Sequence, residues 1–215
     1  MSNRFVIILI ACVAAFAGIF WFTKNKASAP ENGGNTSNVQ PTNHVQGAGN
    51  KKVTLVEYGD FQCPACFQYE PIVREVIKKY GDDITFQFRH FPLSQIHQNA
   101  FAAHRAAEAA AKQGKFWEMH DALYDQQKSW ESVSSPVTVF EGYAKQLKLN
   151  LEQFKKDAAS AQVNAIINAD ITEAGKVGAD STPTFVINGK KIETNPRDVA
   201  GFSKLIDEAI ANAKN

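Results

Sequence analysis

The 215-residue chain holds only three cysteines, Cys12, Cys63 and Cys66. A single close pair excludes a small scaffold stapled by many disulfides, which needs several pairs in a short chain. Neither sign of charge is in excess: 23 Lys and Arg face 22 Asp and Glu, for a net charge of +1, and no long run of one sign appears. Nucleic acid is therefore a poor partner, because a polyanion is gripped by a basic face. No internal repeat is visible. With 44% hydrophobic and 21% charged residues, disorder throughout is excluded, and the length suits one globular core plus an appendage.

The appendage is apolar. Phe5 to Phe22 carries no charge over eighteen residues, about 27 Å of helix at roughly 1.5 Å per residue, close to the hydrocarbon thickness of a bilayer. Arg4 precedes the run, Lys24 and Lys26 follow it, and Trp21 stands where an interfacial aromatic belongs. This pattern predicts an uncleaved membrane anchor over residues 1–26. A cleaved secretory signal competes with it, since Ala27-Ser28-Ala29 imitates a small-residue cleavage site, as does lipidation of Cys12 within Leu9-Ile10-Ala11-Cys12. The flanking charges nearly tie and leave the orientation open. Residues 27–50 are rich in Gly, Ser, Thr, Asn, Gln and Pro, a composition expected to form a flexible linker, with the folded domain running from Lys51 to Asn215. Only Arg4, Lys24, Lys26 and Glu31 are charged before Lys51, so the domain itself is nearly neutral.

Within the domain, Val53-Thr54-Leu55-Val56-Glu57-Tyr58 reads as a buried strand ended by Gly59-Asp60. Pro64 suits the first position of a helix, and Tyr69, Ile72, Val73, Val76, Ile77 and Tyr80 repeat at helical spacing until Gly81. Ile84 to His90 alternates as a second strand, which completes a βαβ unit with parallel strands. Between Pro92 and Asp180, the stretches 97–113, 115–127, 137–147, 151–159 and 161–175 favour helix. A crossover needs only one helix, so the rest is an inserted helical subdomain. Thr184 to Ile187 is a third strand, Asn188-Gly189 turns it into a hairpin with residues 190–193, and a helix from Pro196 to Ala213 closes the chain.

Cys63-Pro64-Ala65-Cys66 falls where the first strand hands over to its helix. A thiol there faces unpaired backbone N–H groups and the positive end of the helix dipole, so Cys63 is expected to be a thiolate near neutral pH. Cys66 lies one turn further in, shielded yet close enough to form a disulfide with Cys63. That is the pattern of an attacking thiol and a resolving thiol, although a structural disulfide or half a zinc site uses the same residues. Zinc needs four ligands, and the chain has no second cysteine pair and no two histidines three to five residues apart, so no metal is expected. His97 and His104, seven residues apart, read as polar positions on one helical face. Glu57 is a carboxylate inside an apolar strand, six residues before Cys63. Beneath the helix start its pKa would rise, fitting it to take a proton from Cys66; an edge position facing water is the alternative. Thr182-Pro183 precedes the third strand and is a candidate cis peptide beside an extended substrate.

In order along the chain, Gly59-Asp60-Phe61-Gln62-Cys63-Pro64-Ala65-Cys66 with Glu70-Pro71, Arg89-His90-Phe91-Pro92-Leu93, Gly114-Lys115-Phe116-Trp117 and Ser181-Thr182-Pro183-Thr184-Phe185 resemble the DsbA-type branch of the thioredoxin superfamily. The resemblance implies an α/β thioredoxin fold with an inserted helical subdomain over about 92–180, here preceded by an N-terminal transmembrane helix and flexible linker. It implies an extracytoplasmic catalytic domain, with Cys63 as nucleophile, Cys66 as resolver and Glu57 as buried acid. Thr182, Pro183, Pro64 and Ala65 would line the substrate site, and no cofactor is implied. The implied partners are cysteine-containing exported proteins and a quinone-linked membrane reoxidant of the DsbB or vitamin K epoxide reductase type, with the chain itself a monomer. The activity expected is that of a thiol oxidase. A tethered reductase or isomerase, or a redox-inactive module that binds peptide or metal, are the alternatives. One departure bears on the redox poise: Pro64-Ala65 stands between the cysteines, where the strongly oxidising relatives carry Pro-His.

Overall fold

Val53, Leu55, Val56 and Tyr58 leave neither face of the first long strand polar, and such a strand is stable only with both faces covered. In the computed structural model, which describes residues 39–213, this strand is β2 (Val53–Gly59), the middle of a five-stranded sheet. The spatial order is β1-β3-β2-β4-β5, with β1 at His44–Gln46, β3 at Ile84–His90, β4 at Thr184–Ile187 and β5 at Lys190–Lys191. β2 and β3 run parallel through the crossover helix α1 (Pro64–Tyr80), whereas β4 lies antiparallel on the other side of β2. The register places Glu57 between Phe88 of β3 and Phe185 of β4.

Side chains of a strand alternate between its faces. Leu55, Phe86, Phe88 and Phe185 join one core with Val73 and Val76 of α1 and with Phe202 and Ile206 of the closing helix α8 (Val199–Asn212). Val56, Tyr58 and Val186 turn to the opposite face, against Ala174 and Val177. The latter two come from the end of α7 (Ala161–Lys176) and the residue after it. The insertion between β3 and β4 contains α2 (Ala100–Ala111), α3 (Phe116–Asp125), α4 (Gln127–Trp130), α5 (Val137–Gln146), α6 (Leu151–Ala158) and α7. Side-chain caps fix three helix starts: Asn150 accepts from the Gln153 N–H, Ser160 from that of Val163 and Asp198 from that of Gly201. Asn188 and Gly189 both have positive φ, 48° and 80°, the backbone of a two-residue hairpin turn.

The expected boundary at Lys51 is corrected. β1 lies inside the stretch 27–50 and pairs antiparallel with β3, His44 opposite Phe88. Thr42 is buried, its N–H and hydroxyl donating to Asp170 at 2.8 and 2.5 Å. These bonds use backbone and small polar groups, so the segment orders without the apolar residues a composition reading looks for. The helix expected over 97–113 begins only at Ala100, because residues 93–97 form a turn held by other contacts, and His97 is therefore not on a helical face with His104. The stretch 115–127 divides at Gln126, and the hairpin strand ends at Lys191. The final helix starts at Val199, where Asp198 caps it, rather than at Pro196.

Among the described residues no helix is long and apolar enough to cross a membrane. The anchor expected over 1–26 and the linker up to residue 38 lie outside the described residues.

Removing residues 1–50 strips β1 from the sheet and leaves Asp170 short of two donors. Relative to removal of residues 1–38, it should cost at least about 2 kcal/mol of stability, the scale of a buried acceptor left unsatisfied, measured by urea unfolding.

Candidate active site

α1 starts with Cys63 as its N-cap, at φ −68° and ψ 124°, and no side chain caps the first turn. The free N–H groups there are left to the sulfur. Cys63 is lowered from the usual 9.0 to about 5, first through its hydrogen bond with Cys66, against burial, and then by Thr182 and the backbone N–H groups of Cys66 and Ala65. As a thiol it donates to the Thr182 carbonyl at 3.4 Å. The buried Thr182 hydroxyl has no other partner and is free to donate to the thiolate. Cys66 is 1% exposed, and burial, the bond to Cys63 and the charge of Glu57 push it well up. Both thiols are free.

Glu57 is 1% exposed, with Oε2 unpartnered. Burial between two phenylalanines raises its pKa well above the carboxylate range, with the charges of Glu70 and Cys63 adding to the effect. Gly59 keeps this floor intact: a Cβ there would lie 2.5 Å from the Phe88 ring and 3.1 Å from Glu57 Oε1. The Thr182-Pro183 peptide is cis, and the Pro183 carbonyl accepts from Asn195 Nδ2 at 2.7 Å. Pro64 is exposed and Ala65 half-buried beside the sulfur. The structure thus brings Cys63, Cys66, Glu57, Pro64, Ala65, Thr182 and Pro183 to one end of the sheet. From the insertion, Gln127 Nε2 donates to the carbonyls of Phe61 at 2.8 Å and Cys63 at 3.1 Å.

Sequence reasoning missed the buried polar groups around this site. Asp60 is sealed from solvent and contacts the active-site turn, and Tyr124 places a buried hydroxyl without a partner, raised by burial and by its neighbours Cys66 and Glu57. Glu108 Oε1 accepts from His90 Nε2 at 2.7 Å and bonds His44, whose ring stacks on Phe116. His90 Nδ1 meets His104 Nδ1 at 2.5 Å. Burial favours the neutral form of Glu108, but the bonds and charges of His44 and His90 outweigh it and hold its carboxyl at about 2. Its charge therefore supports the fold above its ordinary 4.5, and that support is lost as pH falls through 2.

Two groups bring potential ligand atoms within 4.8 Å: His44, His90 and Glu108, and Glu70, His120 and Asp121. In the first, the 2.7 Å between His90 and Glu108 is a hydrogen bond; two ligands of one zinc stand about 3.3 Å apart for bonds of roughly 2.0–2.1 Å. In the second, Arg74 already pairs with Glu70 at 2.7 Å and Asp121 at 3.5 Å.

The family model described as thioredoxin matches residues 39–208. The chain belongs to the thioredoxin family. BdbD from Bacillus subtilis, in its oxidised form, superposes on the chain with a TM-score of 0.68 at 25% identity, covering 80% of this chain and 96% of that one. A thioredoxin-like oxidoreductase from Silicibacter pomeroyi gives 0.65 at 26% identity, over 79% and 93%. At 20% identity, α-DsbA1 from Wolbachia pipientis shares the fold with a TM-score of 0.69. By sequence, the chain is also 38% identical over 171 residues to the Na(+)/H(+) antiporter NhaA 3 of Salinispora tropica, covering 80% of this chain and 25% of that protein. NhaA 1 of Salinispora arenicola is 41% identical over the same length and shares. The chain thus spans about a quarter of the length of these curated relatives, so the likeness is to one part of each.

For this thioredoxin-family site, the Cys63 geometry sets a direct expectation. Alkylation of the reduced protein by iodoacetamide should titrate with a midpoint near pH 5 at Cys63, with Cys66 unreactive at that pH. A single midpoint near the free-cysteine value of about 8.5 would contradict the assignment.

Proposed function

We propose that the chain is an extracytoplasmic thiol:disulfide oxidase that introduces disulfide bonds into exported proteins through Cys63 and Cys66. The observation that carries this reading is the inequality of the pair: one thiol is lowered to about 5 at a helix start, and its neighbour is raised and sealed one turn behind. In the oxidised protein a substrate thiolate attacks Cys63 Sγ, forms a mixed disulfide and expels Cys66. A second substrate thiolate then attacks its partner sulfur, and Cys63, stable as a thiolate, leaves with the electron pair. Glu57 returns a proton to Cys66 in the first step and takes it back in the reverse direction. Thr182 and Pro183, facing Pro64 and Ala65, would receive the substrate backbone as an extended strand.

The acidity of Cys63 favours the reduced form as pH rises above 5, up to the ordinary thiol value. At pH 7 only the two units below 7 count, so the effect is at most about 3 kcal/mol, or roughly 60 mV. That pushes the pair toward oxidation of its substrates. A membrane-tethered reductase is the rival reading, favoured by the absence of an imidazole between the cysteines. Anchoring through residues 1–26, a linker up to the start of the domain and reoxidation by a quinone-linked membrane protein complete the proposal.

Equilibration with glutathione buffers decides the direction: a potential above about −180 mV is expected, and one below about −250 mV would establish the reductase instead. Cys66→Ser, charged beforehand at Cys63 with an aromatic disulfide reagent, should release the aromatic thiolate to a reduced, unfolded substrate protein and hold that protein as a trapped mixed disulfide, while Cys63→Ser treated in the same way traps none, read on non-reducing gels.

Glu57→Gln should slow exchange by about tenfold or more, as expected for loss of a general acid and base, and flatten the pH–rate profile, with no loss of folded structure by circular dichroism. An unchanged profile would remove Glu57 from the proton path.

A further inference from the structure

Asp60 touches both cysteines through its own backbone. Its N–H points at Cys66 Sγ at 3.5 Å, and its carbonyl accepts from the Cys63 N–H at 3.0 Å. The carboxylate, sealed from solvent, accepts from the Gln62 N–H at 2.8 Å through Oδ1. Through Oδ2 it accepts from the Leu93 N–H at 2.9 Å and from His97 Nδ1 at 2.7 Å. His104 Nε2, buried and without a hydrogen-bond partner, stands 3.9 Å from Oδ1. The side chain is thereby fixed from three directions, and it fixes in turn the peptide whose N–H faces Cys66.

We propose that Asp60, held by His97, is a positioning residue for the exchange reaction, keeping one N–H aimed at the sulfur that carries charge when the active-site disulfide opens. The inference rests on the exchange roles given above to Cys63 and Cys66. When a thiolate attacks Cys63 Sγ in the disulfide, a new S–S bond forms there, the internal S–S bond breaks and its electron pair leaves on Cys66 Sγ. In the reverse step the Cys66 thiolate attacks Cys63 Sγ and expels the outside thiolate. In both directions Cys66 holds a full charge in a site 1% exposed, and a donor aimed at that sulfur stabilises it. A clamp that merely tied residues 93–97 to the active-site turn would alter stability without singling out the Cys66 step.

Oxidised glutathione separates these cases. Mixed with the reduced full chain in stopped flow, it should react first with Cys63 in a bimolecular phase, after which Cys66 releases glutathione in a unimolecular phase. Asp60→Asn replaces one of the two acceptor oxygens by a donor, so the amide cannot serve Gln62 on one side and Leu93 with His97 on the other, and His97→Ala loses one donor. Both should slow the unimolecular phase by about tenfold while the bimolecular phase stays within about twofold, the size expected for one hydrogen bond to a charged sulfur. His97→Asn, whose amide nitrogen can replace Nδ1, should restore the rate. Should Asp60→Asn fail to fold, the two variants at the partly exposed His97 still decide. Equal slowing of both phases, or a unimolecular rate in His97→Ala close to that of the unaltered chain, would overturn the proposal. Absence of any mixed disulfide in the unaltered chain would instead defeat the exchange reading itself, and this inference with it.

Discussion

The organisation of the site depends on a helix that begins with no side chain to satisfy its first N–H groups. Most helices recruit Ser, Thr, Asp or Asn for that position; α1 has Cys63 there instead, followed by Pro64. The unpaired donors therefore converge on a sulfur, and an anion is the species they stabilise best. The neighbouring strand end and the segment at Thr182 complete the enclosure, and Cys66 is kept neutral by being placed where water cannot reach. One local arrangement thus makes two chemically identical side chains unequal.

The α/β half alone does not finish this environment. Glu57 takes its burial from Phe88 and Phe185, its neighbours across the sheet, but the ceiling of the site comes from the insertion: Gln127 from α4, Tyr124 from α3, and His104 with Glu108 from α2. Asp60 meets residues 93–97 at the point where the chain leaves β3 for these helices. The polar groups are packed among Phe61, Phe88 and Phe116, so each must find its partner within the protein or remain without one.

Much of this was legible in the residues themselves. The apolar run before Gly59, the proline opening α1 and the Asn188-Gly189 turn act locally, and the structure follows them closely. Glu57 stood out because a carboxylate breaks the character of its strand. β1 did not, since an edge strand of His44, Val45 and Gln46 is held by ladder bonds that leave no hydrophobic period in the sequence. Asp60 resembles an ordinary turn residue after a glycine; its burial depends on Leu93 and His97, more than thirty positions away. The set of His44, His90, His104 and Glu108 comes from three separate elements, and no spacing along the chain announces that they meet.

Gln127 carries a consequence for how the molecule comes apart. A single amide nitrogen from a four-residue helix holds the carbonyls on either side of Gln62, and the Gln62 side chain accepts from the Asn99 N–H and donates to the Glu131 carbonyl, both at 2.7 Å, so the turn that presents the sulfur is anchored on that flank by the insertion. Detaching α4 would free the Phe61 carbonyl and leave the Cys63 carbonyl to the Phe67 N–H of α1 alone. The reactive turn and the helices inserted after β3 therefore belong to one cooperative opening unit, although Gln127 lies more than sixty positions along the chain from Cys63.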